Sequence, residues 1–169
     1  MTTGSTSTRA DESEVIVSIN PFLWFDSQAE EAAEFYVSLF PDSRIISVNR
    51  YPEGGPMPAG TAMSVTFEID GLEVQALNAG PGKPFTEAIS FFVQVDTQDE
   101  IDRHWDALIA NGGRPDQCGW LKDRWGLSWQ IVPSVLGSLI GGPDPERAAR
   151  AMQVMMGMTK LVIADLEAA

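Results

Sequence analysis

Few side chains in this sequence of 169 residues could carry out chemistry by themselves. His104 is the only histidine and Cys118 is the only cysteine. His104 could act as a general base, but no partner carboxylate or nucleophile is evident near it, so we expect a half-exposed helix histidine. Cys118 lacks a second histidine or a helix N-terminus to activate it, which favours a structural role. A single cysteine also excludes an internal disulfide and a multi-cysteine zinc or iron–sulfur site.

The composition is that of an ordinary globular domain, with 44% hydrophobic and 21% charged residues. The net charge is −13, and binding to phosphate backbones needs clustered Lys and Arg, so we expect neither a nucleic-acid nor a membrane partner. No apolar run approaches the ~20 residues that a membrane span needs. The polar residues 1–12 contain no apolar core of a secretory signal, so we expect a cytoplasmic protein.

Two segments repeat 70 positions apart, and they predict the elements that position any site. Residues 25–30 (FDSQAE) reappear as residues 95–100 (VDTQDE), each after an apolar run. Both copies have the pattern of a capping box, in which Ser27 or Thr97 accepts a hydrogen bond from the amide three residues on. The sequence therefore predicts that a strand ends and a helix begins at the same place twice, with Ser27 and Thr97 as the N-caps.

Both predicted helices carry an apolar stripe with the spacing i, i+4, i+7 and i+8, which forms one face of an amphipathic helix. The stripes consist of Ala32, Tyr36, Leu39 and Phe40 in the first helix and Ile101, Trp105, Leu108 and Ile109 in the second.

An alternating strand closes each half of the repeat. Residues 71–77 (GLEVQAL) match residues 126–132 (GLSWQIV), and each strand is entered through a turn glycine. The first half has room for two more strands, Arg44–Tyr51 and Thr61–Ile69, whereas the second half compresses this section into Gln117–Arg124. Each half therefore reads βαβββ. Neither half is large enough to bury its sheet alone, so the two must pack together.

The sequence predicts three parts. Residues 1–13 are expected to be a disordered leader. Residues 14–134 form one domain of two repeats, residues 14–82 and 85–134. Residues 135–169 form a helical extension.

Helix signals are clear in the extension. Asp144 and Pro145 begin a helix that ends near Gly157, and a last helix is expected over about Thr159–Ala168. The methionines of the extension could make ordinary packing contacts or form a flexible lid over a ligand. They are Met152, Met155, Met156 and Met158. The apolar helix 148–158 would expose a patch unless it packed on the body or on a partner, so we expect a homodimer.

The duplicated βαβββ halves resemble the vicinal oxygen chelate superfamily, which includes glyoxalase, bleomycin-resistance and extradiol dioxygenase proteins. Local motifs over about Ile16–Ala168 are similar to its PhnB-like branch. They are residues 21–25 (PFLWF), 39–43 (LFPDS), 86–91 (TEAISF), 117–123 (QCGWLKD) and 126–133 (GLSWQIVP). The resemblance implies an α+β fold of two βαβββ modules plus C-terminal helices, and it implies a homodimer.

Proteins of this branch are often labelled 3-demethylubiquinone-9 3-methyltransferase. A site for S-adenosylmethionine in a doubly wound fold needs a Gly-rich turn between a strand and a helix. Here Gly54–Gly55, Gly80–Gly82 and Gly141–Gly142 fall in hairpin-like or proline-broken loops. The sequence therefore does not support methyl transfer.

The resemblance also implies a metal held by four side chains, usually His and Glu, from the first and last strands of each half. The repeat maps these positions to Asn20 and Ser90 on the first strands and to Gln75 and Gln130 on the last. All four are neutral, whereas iron and zinc sites need His, Cys or carboxylate ligands. We therefore expect no bound metal and no cofactor.

These four side chains are expected to project into a trough with aromatic walls formed by Phe22, Trp24, Phe91 and Trp129. Apolar walls with a few convergent polar groups are typical of a small-molecule site, so we expect a ligand-binding protein with no assigned reaction. Alternatively, the four polar side chains form hydrogen bonds with one another in a partly filled core and bind no ligand. Two further alternatives are a metal-dependent lyase or dioxygenase and a resistance protein that sequesters a planar cationic antibiotic between aromatic rings.

Overall fold

A computed structural model describes residues 17–169, so the predicted leader, residues 1–13, lies outside the described residues. The first module consists of β1 (Phe22–Phe25), α1 (Ala29–Leu39), β2 (Arg44–Arg50), β3 (Ala62–Ile69) and β4 (Leu72–Asn78). The second consists of β5 (Ser90–Val95), α2 (Gln98–Ile109), β6 (Arg114–Pro115), β7 (Trp120–Lys122) and β8 (Ser128–Pro133). The C-terminal helices are α3 (Leu136–Ile140), α4 (Pro145–Met156) and α5 (Ile163–Glu167).

Each module forms one four-stranded mixed sheet, and both sheets have the same topology. The strand orders are β1-β4-β3-β2 in the first sheet and β5-β8-β7-β6 in the second. The first strand of each module runs parallel to the last, pairing Phe22 with Gln75 and Phe92 with Gln130. These pairings place Gln75 and Gln130 at equivalent positions. The predicted α+β fold of two βαβββ modules is confirmed.

The two helices begin in different ways. In α2 the predicted capping box forms, because the Thr97 side chain accepts from the Glu100 amide and the Glu100 carboxylate accepts from the Thr97 amide. The prediction that Ser27 caps α1 is wrong. The N-cap of α1 is Gln28, which makes no side-chain cap bond. The Glu30 carboxylate, which the predicted capping box requires, is bound by the guanidinium of Arg50 instead.

A remote side chain supplies the missing cap of α1. The Asn78 side-chain oxygen, at the end of β4, accepts a hydrogen bond of 2.8 Å from the amide of Ala29. The Asn78 side-chain nitrogen donates to the carbonyl of Ala62 at 2.9 Å, which fixes the orientation of this buried amide. The start of α1 is therefore determined by the sheet beneath it.

Helix α1 lies between the two modules and joins them into one core. Its Tyr36 ring lies 6.2 Å from the ring of Phe67 on β3 and 5.2 Å from the ring of Trp129 on β8. Both neighbours are fully buried. The apolar stripe predicted for α1 therefore packs against both modules.

Asp123 is the buried carboxylate at this junction. One of its oxygens accepts from the amides of Trp125 and Leu127, at 2.9 and 3.0 Å, and shapes the turn between β7 and β8. The other accepts from the Tyr36 hydroxyl at 2.6 Å and from the Trp129 indole nitrogen at 3.0 Å. Burial raises the pKa of Asp123, although its four donors oppose this rise. Burial and the adjacent carboxylate together hold the pKa of Tyr36 well above its ordinary value.

The C-terminal helices build a second core with β8. Asp144 caps α4 as predicted, accepting from the amides of Glu146 and Arg147. Helix α5 begins at Ile163, later than predicted, because the preceding residues are bound elsewhere. The carbonyl of Thr159 accepts from Gly119, for example. Within residues 17–169, no helix combines the length and the apolar character that a membrane crossing requires.

The methionines of the extension divide between the interior and the surface. Met155 and Met158 pack against the second core, whereas Met152 and Met156 are exposed. The tail helix thus packs on the body of the same chain, so its apolar stripe by itself does not require a partner.

Asp123→Ala is expected to lower the free energy of unfolding by about 3 kcal/mol or more, because it leaves the Tyr36 hydroxyl and the Trp129 indole buried without an acceptor. Urea denaturation at pH 7 measures this loss. The matched control is Asp116→Ala. The Asp116 carboxylate accepts only from the next amide on an exposed turn, so a loss below about 1 kcal/mol is expected. Equal losses in the two variants would contradict the role of Asp123.

Candidate functional site

Each sheet packs one face against helices, and its other face, which we call the open face, carries an exposed phenylalanine, although on the second sheet Lys122 and Ser128 of this face are buried. Side chains alternate between the faces along each strand, as the pleat requires. On β1, Leu23 and Phe25 are buried while Phe22 is exposed. On β8, Trp129 and Ile131 are buried and Gln130 between them is only half-buried. Each chain therefore presents two open faces, one for each module.

Half of the predicted pocket residues lie on the open face of the first sheet, namely Asn20, Phe22, Trp24 and Gln75. The Asn20 amide nitrogen donates to the carboxylate of Glu73 at 2.6 Å. The Trp24 indole nitrogen donates to the carbonyl of Gly80 at 2.8 Å. Phe22 is 57% exposed and pairs with Gln75 across the strands. This face thus combines apolar rings with amide groups.

The open face of the second sheet carries Ser90 and Gln130. The Gln130 amide nitrogen donates to the Ser90 hydroxyl oxygen at 2.8 Å. Phe92, paired with Gln130, is 58% exposed, and it is the repeat equivalent of Phe22. Sequence reasoning missed Phe92, although its position 70 residues after Phe22 was a usable signal.

Phe91 and Trp129 lie on the opposite face of the second sheet from Ser90 and Gln130. They pair with each other across β5 and β8, and their rings meet edge to face at 4.9 Å. The sequence placed them in the same trough as the polar quartet. Strand alternation instead directs them toward the helices, where Trp129 is fully buried.

A row of polar side chains crosses the second sheet next to the predicted quartet. The strand registers align Ser90, Ser128, Lys122 and Arg114 on the open face, and we call this set the cationic row. The ammonium of Lys122 pairs with the carboxylate of Glu87, on the turn before β5. The hydroxyl oxygen of Ser128 is buried and has no hydrogen-bond partner in the described part of the chain.

The corresponding row of the first sheet has the opposite character. The registers of β2, β3 and β4 align Arg44, Glu68 and Glu73, and Asn20 binds Glu73 at the end of the row. Arg44 and Glu68 form an ion pair at 3.1 Å. The row of the first sheet therefore carries two carboxylates and one cation, whereas the equivalent row of the second sheet carries two cations and no carboxylate.

Sequence reasoning assigned no role to Lys122 or Glu87. Both fall inside motifs that carried the family resemblance, residues 117–123 and 86–91. Their pairing joins the turn before β5 to β7, 35 residues further along the chain (122 − 87), so no local pattern shows it.

Two cavities lie where the modules meet. A cavity of about 350 Å³ follows the edge of β5, with Phe40, Phe91, His104 and Trp129 in its wall. Another, of about 360 Å³, lies beside Trp24, Phe85, Arg124 and Trp125. Of the predicted pocket residues, Phe91, Trp129 and Trp24 line these cavities. The remaining five lie on the open faces.

His104 is buried, with 4% of its surface exposed, so the expectation of a half-exposed histidine is wrong. The end of α1 covers it, and the Phe40 ring stacks on its imidazole at 4.9 Å. The Nε2 atom lies 3.2 Å from a nitrogen of Arg103, which has no lone pair to offer, so Nε2 is the acceptor and Nδ1 carries the proton. Nδ1 is buried and finds no partner among residues 17–169. Burial and the Arg103 charge lower the pKa of His104.

Cys118 lies at a turn, where its φ of 57° is in the left-handed region. Its amide donates to the carbonyl of Met158 at 2.8 Å, and its sulfur lies 3.8 Å from the sulfur of Met156. These contacts connect the turn to the tail helix and give the expected structural role a physical basis.

The four positions mapped to the metal quartet do not fit a catalytic metal. Asn20 and Gln130 use their amides as hydrogen-bond donors, and Gln75 and Ser90 add no charge. Glu73 is the carboxylate that contacts this set. Throughout residues 17–169, no three His, Cys, Asp or Glu side chains gather in a way that could hold a metal ion. One carboxylate among neutral groups does not match the ligand sets of zinc or iron sites.

Comparison with known proteins identifies the relatives of this chain. Residues 17–132 match the family model described as 3-demethylubiquinone-9 3-methyltransferase. The chain has no match among curated proteins.

Two solved structures are similar over most of their length. The PhnB protein from Bacillus cereus is 35% identical, with a TM-score of 0.65 over 70% of this chain and 100% of that one. Protein PA1353 from Pseudomonas aeruginosa is 20% identical, with a TM-score of 0.57 over 70% of this chain and 98% of that one. The second likeness concerns the fold alone.

The titration of His104 is expected to have its midpoint below the ordinary value of 6.5. Because the folded state then binds this proton less readily than the unfolded state, stability should fall as pH drops below about 6.5. Proton NMR measures the titration directly, since the chain has only one imidazole. A midpoint at or above 6.5 would contradict the burial of this ring.

His104→Phe removes the buried Nδ1 proton that lacks an acceptor, so the free energy of unfolding at pH 7 should rise by about 1 kcal/mol.

Proposed function

Because the chain belongs to the family described as 3-demethylubiquinone-9 3-methyltransferase, whose PhnB-like members share its fold, we propose that it binds a small molecule without the superfamily's metal. The family match and the 35% identical PhnB protein confirm the resemblance to PhnB-like proteins. The proposed ligand occupies the open faces of the sheets.

The observation that carries this proposal is the pair of exposed phenylalanines. Phe22 and Phe92 stand at equivalent places on the two open faces, each beside a glutamine amide. Large apolar side chains that face water in a cluster with polar groups mark a surface that binds something. Rings with a few hydrogen-bonding groups are the usual lining of a small-molecule site.

The chemistry of the mapped positions supports a role without a metal. A divalent ion that leaves water loses a very large hydration energy, and neutral amides without several carboxylates recover too little of it. The amide groups of Asn20 and Gln130 already serve as hydrogen-bond donors within the chain. They suit recognition of an organic ligand better than coordination of an ion.

The architecture gives no support to methyl transfer, despite the family's description. Each of the two sheets has only one parallel strand pair among the described residues, and the other pairs are antiparallel. A doubly wound parallel sheet with a Gly-rich phosphate-type turn is the usual nucleotide-binding arrangement. We therefore do not assign that reaction.

We also propose that the protein acts as a homodimer. Within the described chain, β1 and β5 each pair on one side only, and Phe22 or Phe92 stands exposed on each. Ile19, before β1, is 92% exposed. A second copy that covers these edges would enclose the two open faces and protect the unpaired strands. A cytoplasmic location stays a prediction from the sequence alone.

We expect tag-free protein to contain no stoichiometric zinc, nickel, manganese or iron, as elemental analysis would measure. Near-stoichiometric metal, with a melting temperature that falls in EDTA, would contradict the proposal.

A second experiment introduces metal ligands at the four mapped positions. The variant combines Asn20→His, Ser90→His, Gln75→Glu and Gln130→Glu. This variant should bind zinc, and a folded variant that binds none would show that the quartet is misplaced.

Phe22→Ser and Phe92→Ser should each weaken self-association at least tenfold, because each removes an exposed ring that a partner would cover. Light scattering over a concentration series measures the mass, and thermal shift against a panel of neutral aromatic compounds measures ligand binding. Met152→Ser is the matched control, since Met152 is an exposed apolar residue on the tail helix. A wild-type monomer at micromolar concentration, or a loss of mass only in the control, would count against the dimer proposed here.

A further inference from the structure

The cationic row contains the most unusual basic residue of the described chain. Of the Lys and Arg residues in the range 17–169, Lys122 is the one whose surface is buried, with 8% exposed. Its ion-pair partner is Glu87, whose side chain is 59% exposed. A buried ammonium needs a compensating anion, and here an exposed turn residue provides it.

The surroundings of Lys122 offer more hydrogen-bond donors than the chain uses. An ammonium has three N–H donors. The adjacent Ser128 hydroxyl is buried and unpartnered, and Ser90 accepts from Gln130, which leaves its own hydroxyl proton free to donate. Arg114, next in the row, adds a second positive charge on the exposed side. Two cations and two hydroxyl-bearing residues thus lie in one row of the sheet, and the carboxylate of Glu87 pairs with one of these cations, Lys122.

Building on the proposed function, we propose that the cationic row binds the carboxylate of a small aromatic acid, and that Glu87 occupies its place in the free protein. The ligand's carboxylate accepts hydrogen bonds from Lys122 and Ser128, and Glu87 moves into solvent. Its aromatic ring lies over the next row of the sheet, where the registers place Phe92 and Trp120 on either side of Gln130.

The two open faces differ in the balance of their charges, and in the proposed complex the ligand's carboxylate therefore lies on the second sheet. The equivalent row of the first sheet carries two carboxylates, Glu68 and Glu73, against one cation, Arg44, so it offers a ligand carboxylate no comparable site. In a protein with a net charge of −13, long-range attraction does not favour an anion. Recognition therefore depends on the local contacts of Lys122 and Ser128, which are short-range and desolvated.

The probes are benzoate and its neutral analogue benzamide, each titrated into the full-length protein. Trp120 lies half-buried on the proposed site, so intrinsic fluorescence reports binding, and calorimetry provides a second readout. We expect benzoate to bind at least tenfold more tightly than benzamide, which is the usual scale for one charge-assisted hydrogen-bonding site.

Variants distinguish the proposed site from a purely structural ion pair. Glu87→Gln removes the internal competitor, so benzoate should bind about three- to tenfold more tightly than to the wild type. Lys122→Met and Ser128→Ala should weaken benzoate about tenfold or more and leave benzamide unchanged. Glu30→Gln is the matched control, because it also breaks a Glu–cation pair, with Arg50, and it should change neither affinity.

The outcomes separate this inference from the proposed function. Equal affinity for benzoate and benzamide, or a Glu87→Gln variant that binds benzoate no better than the wild type, would overturn the carboxylate site and leave small-molecule binding intact. No binding of benzoate by either wild type or Glu87→Gln would overturn it as well. Neutral aromatic compounds that fail to bind would instead count against the broader proposal. If Lys122→Met does not fold, the opposite effects expected for Glu87→Gln and Ser128→Ala still decide the question.

Discussion

The architecture depends on one buried carboxylate, that of Asp123. It accepts hydrogen bonds from two backbone amides of its own turn and from two side chains, Tyr36 and Trp129. Tyr36 belongs to the other module. A buried charge is tolerated only when it is fully hydrogen-bonded, so the turn, α1 and β8 must all be in place at once. This requirement fixes how the second module sits against α1. The helix-facing sides of both sheets are used in this core.

The open faces show how a duplicated unit can diverge while its backbone stays the same. Both modules retain the same strand order and the same pairing of a phenylalanine with a glutamine. The neighbouring rows differ in charge, with Glu68, Glu73 and one cation, Arg44, on one sheet and Lys122 and Arg114 without a carboxylate on the other. Strand geometry holds the positions constant, so the difference in chemistry comes from the side chains alone. Such an arrangement suits an asymmetric organic ligand better than a symmetric metal site.

The C-terminal helices complete the domain by packing against β8. They build a second core on β8, and the segment before α5 is fixed by backbone bonds to the turn at Cys118 and Gly119. Lys160 adds ion pairs to Asp102 and Asp106 on α2. On β8 the second core includes Val132, near the end of the strand that is remote from Ser128.

The sequence by itself determined the two modules, their strands and the cap of α2, because these depend on signals a few residues apart, such as Thr97 with Glu100. It also determined that the mapped quartet is neutral. Only the tertiary structure decided that Asn78 caps α1, that His104 is buried under Phe40, and that Phe91 and Trp129 face away from Ser90 and Gln130. The decisive contacts span 49 residues for Ala29 with Asn78 and 87 residues for Tyr36 with Asp123. Contacts at such separations follow from how packed elements meet, and no local pattern encodes them.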